Sequence, residues 1–125
     1  MATKVLVVED NDLNRKLFTD LLRLNGYDAV EANRGNDVLV LSRTERPDII
    51  LMDIQLPDIS GVDLTRALKA DPSLKDIPII AVTAFAMGGD EERIRKAGCD
   101  GYIAKPVAVR DFLATLAKFR RSGAT

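Results

Sequence analysis

The sequence predicts an α/β domain with a parallel sheet and helices on both faces, because three patterns occur together. Short runs rich in Val, Ile and Leu lack polar alternation, as expected of strands that are covered on both sides. Amphipathic segments with helical spacing lie between these runs. The pair of strand and helix occurs five times along the 125 residues, which is typical of a parallel sheet with helical crossovers.

The predicted strands are short and aliphatic. They cover Val5–Val8, Tyr27–Ala32, Ile49–Met52, Ile79–Val82 and Gly101–Ala104. Aromatic residues make up 5% of the chain and hydrophobic residues 46%, so the predicted core is aliphatic. The length fits a single domain over residues 1–125, with a core from about 4 to 119 and a flexible tail over 120–125.

The helices between the strands are predicted from apolar spacing and from end signals. The first ends before Asn25-Gly26, a common C-terminal signal. Its apolar stripe consists of Leu13, Leu17, Phe18, Leu21, Leu22 and Leu24. The run Val38–Leu41 is ambiguous by period alone, and we assign it to a helix because Asn36 and Asp37 suit a helix start. Further helices are predicted around Leu64–Leu68, Asp90–Ala97 and Val109–Phe119.

The composition excludes several classes of chemistry and partner. The chain contains no histidine, which excludes histidine-based nucleophile systems, histidine metal sites and a role as a phosphohistidine carrier. The single cysteine, Cys99, cannot form an internal disulfide or a thiolate zinc site. A net charge of −1 makes duplex nucleic acid a poor partner. Without a signal peptide or an apolar stretch of membrane-spanning length, we expect a cytoplasmic protein with no membrane insertion.

Polar side chains stand at the ends of four of the five predicted strands. Glu9 and Asp10 follow the first strand, and Asp53 follows the third. Thr83 follows the fourth strand and Lys105 the fifth. Because ligands of open parallel sheets bind beyond these carboxyl ends, the side chains are expected to converge. Each of them alone is more simply an ordinary loop residue, and it is the set that indicates a site.

The residue types in this set predict phosphoryl transfer. Packed carboxylates raise one another's pKa unless a cation neutralises them, and Mg²⁺ suits such a site because it prefers oxygen ligands. Lys105 would add a positive charge and Thr83 a hydroxyl donor for a phosphoryl oxygen. Asp53 would then be the carboxylate nucleophile. Two nearby carboxylates, Asp12 and Asp58, are more simply a solvated helix start and a turn residue.

The same residues lie in motifs that resemble the receiver domains of bacterial two-component signalling, the CheY-like family. These motifs are Val5–Asn11, Leu51–Pro57, Gly61, Ala81–Ala84 and Tyr102–Pro106. The resemblance covers the chain from Lys4 to about Phe119. It implies a flavodoxin-like fold of five strand–helix units, doubly wound around a parallel five-stranded sheet of order 2-1-3-4-5.

The resemblance also implies a role for each site residue. Asp53 matches the phosphoacceptor, and Thr83 and Lys105 match the groups that contact the phosphoryl oxygens. The Mg²⁺ ligands of the family match Glu9, which would act mostly through water, Asp10, Asp53 and the backbone carbonyl of Gln55. Many members have Asp where this chain has Glu9. Thr83 and Tyr102 match the conformational switch, and Pro106 matches a position that is usually a cis proline.

The resemblance further implies how a signal is passed on. Thr83 would turn toward the phosphoryl group, Tyr102 would move inward, and the surface of the fourth helix, fifth strand and fifth helix would change. Charged residues predicted on that surface are Arg93, Arg95, Lys96 and Arg110. Within the family, the sequence resembles single-domain regulators of bacterial cell division. This implies histidine kinases or phosphatases as donors, kinase-class effectors, and a monomer that forms transient complexes.

Two other functions remain open from the sequence. A small Mg²⁺-dependent phosphatase would also use an aspartyl nucleophile, although Gln55 leaves no general acid two residues after Asp53. A receiver-like adaptor would never take phosphate, although the full set of site residues is present. In receiver domains, the side chains at the positions of Gln55 and Phe85 flank the approach of water to the phosphoryl group. A bulky Phe85 would hinder this water and predicts slow autodephosphorylation, unless it merely packs on the surface or against the fourth helix.

Overall fold

The strands of the protein are β1 (Lys4–Val8), β2 (Asp28–Ala32), β3 (Ile49–Asp53), β4 (Ile79–Thr83) and β5 (Gly101–Ala104). In the computed structural model, which describes residues 2–56, 58–84 and 89–119, they form one parallel sheet of order β2-β1-β3-β4-β5. This order confirms the flavodoxin-like α/β fold that the resemblance implies. Pro57, Phe85 and the predicted tail 120–125 lie outside the described residues.

Helices follow the strands in the predicted alternation. They are α1 (Asp12–Leu24), α2 (Val38–Glu45), α3 (Gly61–Ala70), α4 (Gly89–Ala97) and α5 (Val109–Ala117). A short 3-10 helix, Gly35–Asp37, leads into α2. The helix assigned to Val38–Leu41 is confirmed, and it ends at Arg46 in the left-handed conformation with a φ of 50°. Within the described residues, no helix has the length and apolar content needed to cross a membrane.

The central strands explain why the sequence shows no polar alternation. Every residue of β3 and β4 is buried, because helices cover both faces of the sheet. The edge strands β2 and β5 are only partly buried. The parallel register places Val8 beside Met52 and Asp53 beside Val82, so the strands end at nearly the same level.

The two faces of the sheet carry separate halves of the core. On one face, Val5 and Val7 pack with Phe18 and Leu22 of α1 and with residues of α5. The rings of Phe18 and Phe112 stack there with centroids 5.5 Å apart, an arrangement that adds to the energy of burial. Leu6 and Val8 point to the opposite face and pack with side chains of α2, α3 and α4.

The predicted apolar stripe of α1 is wrong in part. Phe18 and Leu22 are buried, whereas Leu13, Leu17 and Leu24 are 79%, 47% and 82% exposed. Successive helical residues are rotated by about 100°, so the exposed leucines form a second row to one side of the buried row. The helix therefore has two apolar rows, and only one of them faces the core.

Candidate functional site

Three carboxylates converge at the carboxyl edge of the sheet. Glu9 and Asp10 follow β1, Asp53 ends β3, and these strands are neighbours. One carboxylate oxygen of each residue lies within 4.8 Å of the others. Glu9 and Asp53 are 1% and 3% exposed, whereas Asp10 is exposed to solvent. The arrangement is an acidic cleft that is open on the side of Asp10.

Lys105 approaches the buried pair from the loop after β5. Its Nζ lies 3.4 Å from Glu9 Oε1 and 3.5 Å from Asp53 Oδ2. Its backbone N–H donates to the carbonyl of Thr83 at 2.8 Å, which ties this loop to the end of β4. The Lys105–Pro106 peptide bond is cis, as the resemblance implies.

The pKa of Glu9 is raised mainly because its carboxyl group is buried. Burial raises this pKa from 4.5 to about 7, and the hydrogen bond and charge of Asp53 add to the increase. The N–H of Asn11, which donates to Glu9 Oε2 at 3.1 Å, and the charge of Lys105 act in the opposite direction. Near neutral pH, Glu9 is therefore poised between its neutral and ionised forms.

The end of β3 holds Asp53 in a fixed position. The backbone N–H of Gln55 donates to Asp53 Oδ1 at 2.9 Å, and the N–H of Ile54 donates to the carbonyl of Val82 at 3.2 Å. Gly61 packs directly on this turn, since a Cβ there would lie 2.6 Å from Ile54 Cα and 2.7 Å from the Asp53 carbonyl oxygen. Only glycine permits this approach without a backbone shift.

The loop between β3 and α3 is also anchored to the turn before α2. The two carboxylate oxygens of Asp58 accept from the N–H groups of Gly35 at 3.1 Å and Asn36 at 3.0 Å. These backbone donors, Asn36 first, lower the pKa of Asp58. A Cβ at Gly35 would collide with Ile59. Asp58 therefore holds a turn together and lies outside the acidic cluster, which agrees with its simpler interpretation.

The two predicted switch residues lie on neighbouring strands. Thr83, at the end of β4, is 1% exposed, and its register partner is Ala104. Tyr102 of β5 pairs with Ala81 and is half-buried. A cavity of about 170 Å³ beside Tyr102 is lined by residues of α4 and β5, among them Ile94. Tyr102 therefore lies against a cavity between α4 and β5.

Sequence reasoning assigned no role to two residues that shape the loop between β1 and α1. Asn11 donates its N–H to Glu9, and its Oδ1 accepts the N–H of Asn14 at 2.9 Å, which caps α1. Arg15 donates to the carbonyl oxygen of Glu9 at 2.9 Å. The spacing of Asn11 and Asn14 is a helix-cap signal, but a bond from a side chain to a main-chain oxygen leaves no pattern in the sequence.

The cleft has the donor set of a site for a hard divalent cation. Carboxylate oxygens of Glu9, Asp10 and Asp53 form its walls, and Mg²⁺ binds oxygen ligands of this kind. Burial and the neighbouring Asp53 both raise the pKa of Glu9, and a bound cation would oppose this increase. Asp10 is exposed, so the cluster is open to solvent on that side. The residues present therefore fit Mg²⁺.

Comparison with known proteins identifies the class of the chain. Residues 5–117 match the model of the response regulator receiver domain family. The chain therefore belongs to this family. The sequence motifs and the acidic cleft are thus parts of a receiver domain, as the resemblance implied.

More particular similarity is to the polar-differentiation response regulator DivK. The chain is 53% identical to DivK of Brucella anthropi over 119 residues, which cover 95% of this chain and 97% of that protein. It is 52% identical to DivK of Brucella abortus strain S19 over the same shares. These relatives confirm a DivK-like receiver. Three stretches of the sequence indicated this closer resemblance: Glu9-Asp10-Asn11, Asp53-Ile54-Gln55-Leu56-Pro57 and the segment from Thr83 to Arg95.

Solved structures of other receivers share the fold. The chemotaxis response regulator CheY4 of Vibrio cholerae has a TM-score of 0.90 and 25% identity, covering 95% of this chain and 99% of that chain. The receiver domain of the sensor histidine kinase PA1611 from Pseudomonas aeruginosa has a TM-score of 0.87 and 34% identity, covering 95% and 98%. The latter structure contains a magnesium ion coordinated in its active site cleft.

Proposed function

We propose that the protein is a single-domain response regulator in which Asp53 accepts a phosphoryl group from a phosphohistidine, with Mg²⁺ as cofactor. The observation that carries the proposal is the convergence of Glu9, Asp10 and Asp53 within 4.8 Å, with Lys105 3.5 Å from Asp53 Oδ2. A buried carboxylate beside a cation and an open acidic cleft suits an acceptor of phosphate. The chain has no histidine of its own, so the donor must be another protein.

The transfer itself exchanges one bond to phosphorus for another. The P–N bond of the donor phosphohistidine breaks, and a P–O bond to a carboxylate oxygen of Asp53 forms. The electron pair of the broken bond returns to the imidazole, which takes up a proton. Lys105 would pair with a phosphoryl oxygen, and the Thr83 hydroxyl would donate a hydrogen bond to another.

Glu9, Asp10, Asp53 and the carbonyl of Gln55 would hold Mg²⁺, with Glu9 acting mostly through water. When bound, Mg²⁺ would neutralise negative charge on the phosphoryl oxygens and on the carboxylates around them. The Gln55 N–H donates to Asp53 Oδ1 at 2.9 Å, so the main chain of Gln55 lies beside the acceptor carboxylate. Glu9 and Asp10 would contribute from the loop after β1.

The output would be a change in the surface formed by α4, β5 and α5. Phosphorylation adds negative charge and strong acceptor oxygens at Asp53. Thr83 would follow the phosphate, and Tyr102 would move toward the space beside Ile94. A partner that prefers one conformer would then shift the population. We propose kinase-class partners and control of cell division, in keeping with the similarity to DivK.

A phosphorylation assay with matched variants tests this function. The full chain is incubated with a phosphorylated histidine kinase and Mg²⁺, and intact mass spectrometry counts the phosphoryl groups. Wild type should gain one group, Asp53→Asn none, and chelation of Mg²⁺ should prevent the gain. Asp63→Asn is the matched control, since Asp63 is an aspartate of α3 whose side chain is 63% exposed.

The same assay separates the two competing functions. If wild type were never labelled, a phosphate-independent adaptor would replace the proposed switch. If the purified chain hydrolysed a phosphate monoester over many turnovers, and Asp53→Asn did not, a phosphatase would replace it. A single labelled Asp53 without turnover supports the proposal.

We further propose that the phosphoryl group is lost slowly. Phe85 follows Thr83 by two residues, and a bulky apolar side chain there would hinder water from reaching the phosphoryl group. The measurement is the decay of labelled protein after donor removal. Phe85→Ala should lose phosphate faster than wild type, and an unchanged decay would contradict this part of the proposal.

A further inference from the structure

Arg15 lies behind the acidic cleft, at the first turn of α1. Its side chain is only 14% exposed, which is unusual for an arginine at the surface of a helix. Nη1 donates to the carbonyl oxygen of Glu9 at 2.9 Å and lies 3.5 Å from that of Asp10. Nη2 donates to Asp12 Oδ1 at 2.5 Å, and Nε donates to Glu31 Oε1 at 3.2 Å.

These bonds make Arg15 the junction of three segments. Glu9 and Asp10 form the loop after β1, Asp12 begins α1, and Glu31 lies near the end of β2. A guanidinium can connect them because its donors are fixed in one plane and point in several directions. The position of the loop main chain at Glu9 and Asp10 therefore depends on Arg15.

The contacts of Arg15 go to main-chain oxygens and to carboxylates outside the cluster. The carboxylate of Glu9 is held separately, by the N–H of Asn11 at 3.1 Å and by Lys105 at 3.4 Å. Arg15 thus fixes the main chain from which Glu9 and Asp10 project, while other groups hold the Glu9 carboxylate.

We propose that Arg15 is a positioning residue of the metal site, which sets the affinity for Mg²⁺ without contacting the ion or the phosphoryl group. The inference rests on the proposed function, in which the cluster binds Mg²⁺. Groups that orient metal ligands from behind typically change metal affinity by about 10- to 100-fold when they are removed. Arg15 orients two of the proposed ligands through their shared loop.

The direction of the change in Mg²⁺ affinity distinguishes a positioning role of Arg15 from a purely electrostatic one. Removing a positive charge near an acidic site should strengthen Mg²⁺ binding, because that charge no longer repels the ion. Removing the group that orders the ligands should weaken it. Arg15→Ala combines both effects, whereas Arg15→Lys keeps the charge and loses the planar set of donors. Positioning predicts weaker binding in both variants, and charge alone predicts tighter binding in the first and no change in the second.

Two residues of the same helix provide controls. Lys16 pairs with Asp20 at 2.8 Å on the exposed face of α1, so Lys16→Ala removes a charge without touching the loop. Arg23 donates to the carbonyl of Ala29 at 3.3 Å, so Arg23→Ala removes a bond from α1 to a main-chain oxygen far from the cleft. Neither control should weaken Mg²⁺ binding.

The experiment is a calorimetric titration of the full chain with Mg²⁺ alone, followed by phosphorylation with acetyl phosphate over a range of Mg²⁺ concentrations. Arg15→Ala and Arg15→Lys should bind Mg²⁺ about tenfold more weakly than wild type. Their phosphorylation rates should return close to the wild-type rate at saturating Mg²⁺. Thermal unfolding without Mg²⁺ shows that each variant is folded, and Arg15→Lys carries the test if Arg15→Ala does not fold.

Three outcomes would overturn the inference. If wild type binds Mg²⁺ and both Arg15 variants bind it equally well or more tightly, Arg15 has no positioning role and the proposed function stands. If the wild-type chain binds no Mg²⁺, the proposed metal site fails and the inference fails with it. A deficit in phosphorylation that persists at saturating Mg²⁺ would also count against a role through metal affinity.

Discussion

The two edges of the sheet place acidic residues in opposite electrostatic surroundings. At the amino edge, where the strands begin, Asp100 Oδ2 accepts from Lys69 Nζ and from the N–H of Ile79, each at 2.9 Å. Lys69 also donates to the carbonyl of Ile77 at 3.2 Å. The acid is paired with a lysine and hydrogen-bonded to a main-chain N–H, and it joins the end of α3 to the starts of β4 and β5.

At the carboxyl edge, three acids lie together and Lys105 approaches two of them at 3.4 and 3.5 Å. Burial and Asp53 raise the pKa of Glu9 to about 7. The same sheet thus has one edge where charges stabilise the fold and one where charges oppose it. We expect a divalent cation to relieve this repulsion, because its charge would neutralise the carboxylates.

The largest effect on stability is expected at the amino edge. Asp100→Ala leaves the Ile79 N–H without its carboxylate acceptor and removes the partner of Lys69. Hydrogen bonds to charged groups contribute enough that we expect a loss of about 2 kcal/mol in the free energy of unfolding. Chemical denaturation measures it, with Asp63→Ala on the exposed face of α3 as the control. A loss no greater than that of the control would contradict the comparison.

Removing an acid from the carboxyl edge should instead increase the free energy of unfolding. The raised pKa of Glu9 means that the folded chain binds a proton more readily than the unfolded chain between pH 4.5 and about 7. Without a divalent cation, the stability of wild type therefore falls as pH rises through this window. At about pH 8, Glu9→Gln should be more stable than wild type, by on the order of 1 to 2 kcal/mol.

The pH dependence of this gain is its control. Well below pH 4.5, where Glu9 is protonated in both folded and unfolded chains, Glu9→Gln and wild type should unfold with similar free energies. A variant that is less stable than wild type at about pH 8 would show that Lys105 holds Glu9 ionised, and that the carboxyl edge is not under repulsion.

A metal titration tests the raised pKa of Glu9 in a second way. Mg²⁺ competes with the proton on Glu9, so the affinity of wild type for Mg²⁺ should fall as pH drops below about 7. One competing proton limits the fall to about tenfold per pH unit. Calorimetry at several pH values measures it. Glu9→Gln should bind Mg²⁺ more weakly than wild type. The Mg²⁺ affinity of this variant should no longer depend on pH near 7. If its affinity changed with pH as steeply as that of wild type, the competing proton would belong to another group.

The smallest effect is expected at a pair on the surface between α2 and α3. The pKa of Asp71 is lowered to about 2, first by the hydrogen bond from Arg43 and then by Ser73. Its contribution to stability is present above the ordinary pKa of 3.8 and is lost as pH falls toward 2. Arg43→Ala should therefore make the acid-induced loss of stability shallower in that range.

The control for Arg43 is another exposed arginine. Arg66 lies 3.7 Å from Asp63, and both side chains are more than half exposed. Acid titration of unfolding should be the same for Arg66→Ala and wild type. An equal effect of the two substitutions would mean that the pair with Asp71 has no special role.

Much of the fold could be predicted because its signals are local. The buried strands lack alternation, as β3 and β4 show, and the helix assigned from Asn36 and Asp37 is present. The carboxylates could also be brought together from the sequence, since parallel strands end at one edge. Such reasoning needs only the order of the elements and no knowledge of individual contacts.

The errors and omissions come from contacts between segments. Leucines form two rows on α1, and the row with Leu13 and Leu17 faces outward because Phe18 and Leu22 fill the core. Arg15 and Asp58 act through main-chain atoms of distant or neighbouring loops. Every residue has the same main-chain carbonyl, so the sequence does not indicate which carbonyl a side chain will contact.

The sequence by itself determined the kind of chemistry: acids, a lysine and a hydroxyl at strand ends, with no histidine in the chain. Only the tertiary structure decided which acids are neutralised. Asp100 has a lysine and an N–H within hydrogen-bonding distance, whereas Glu9 is buried beside Asp53. The physical reason is that electrostatic energy depends on separation and burial, and both follow from the packing of segments far apart in the chain.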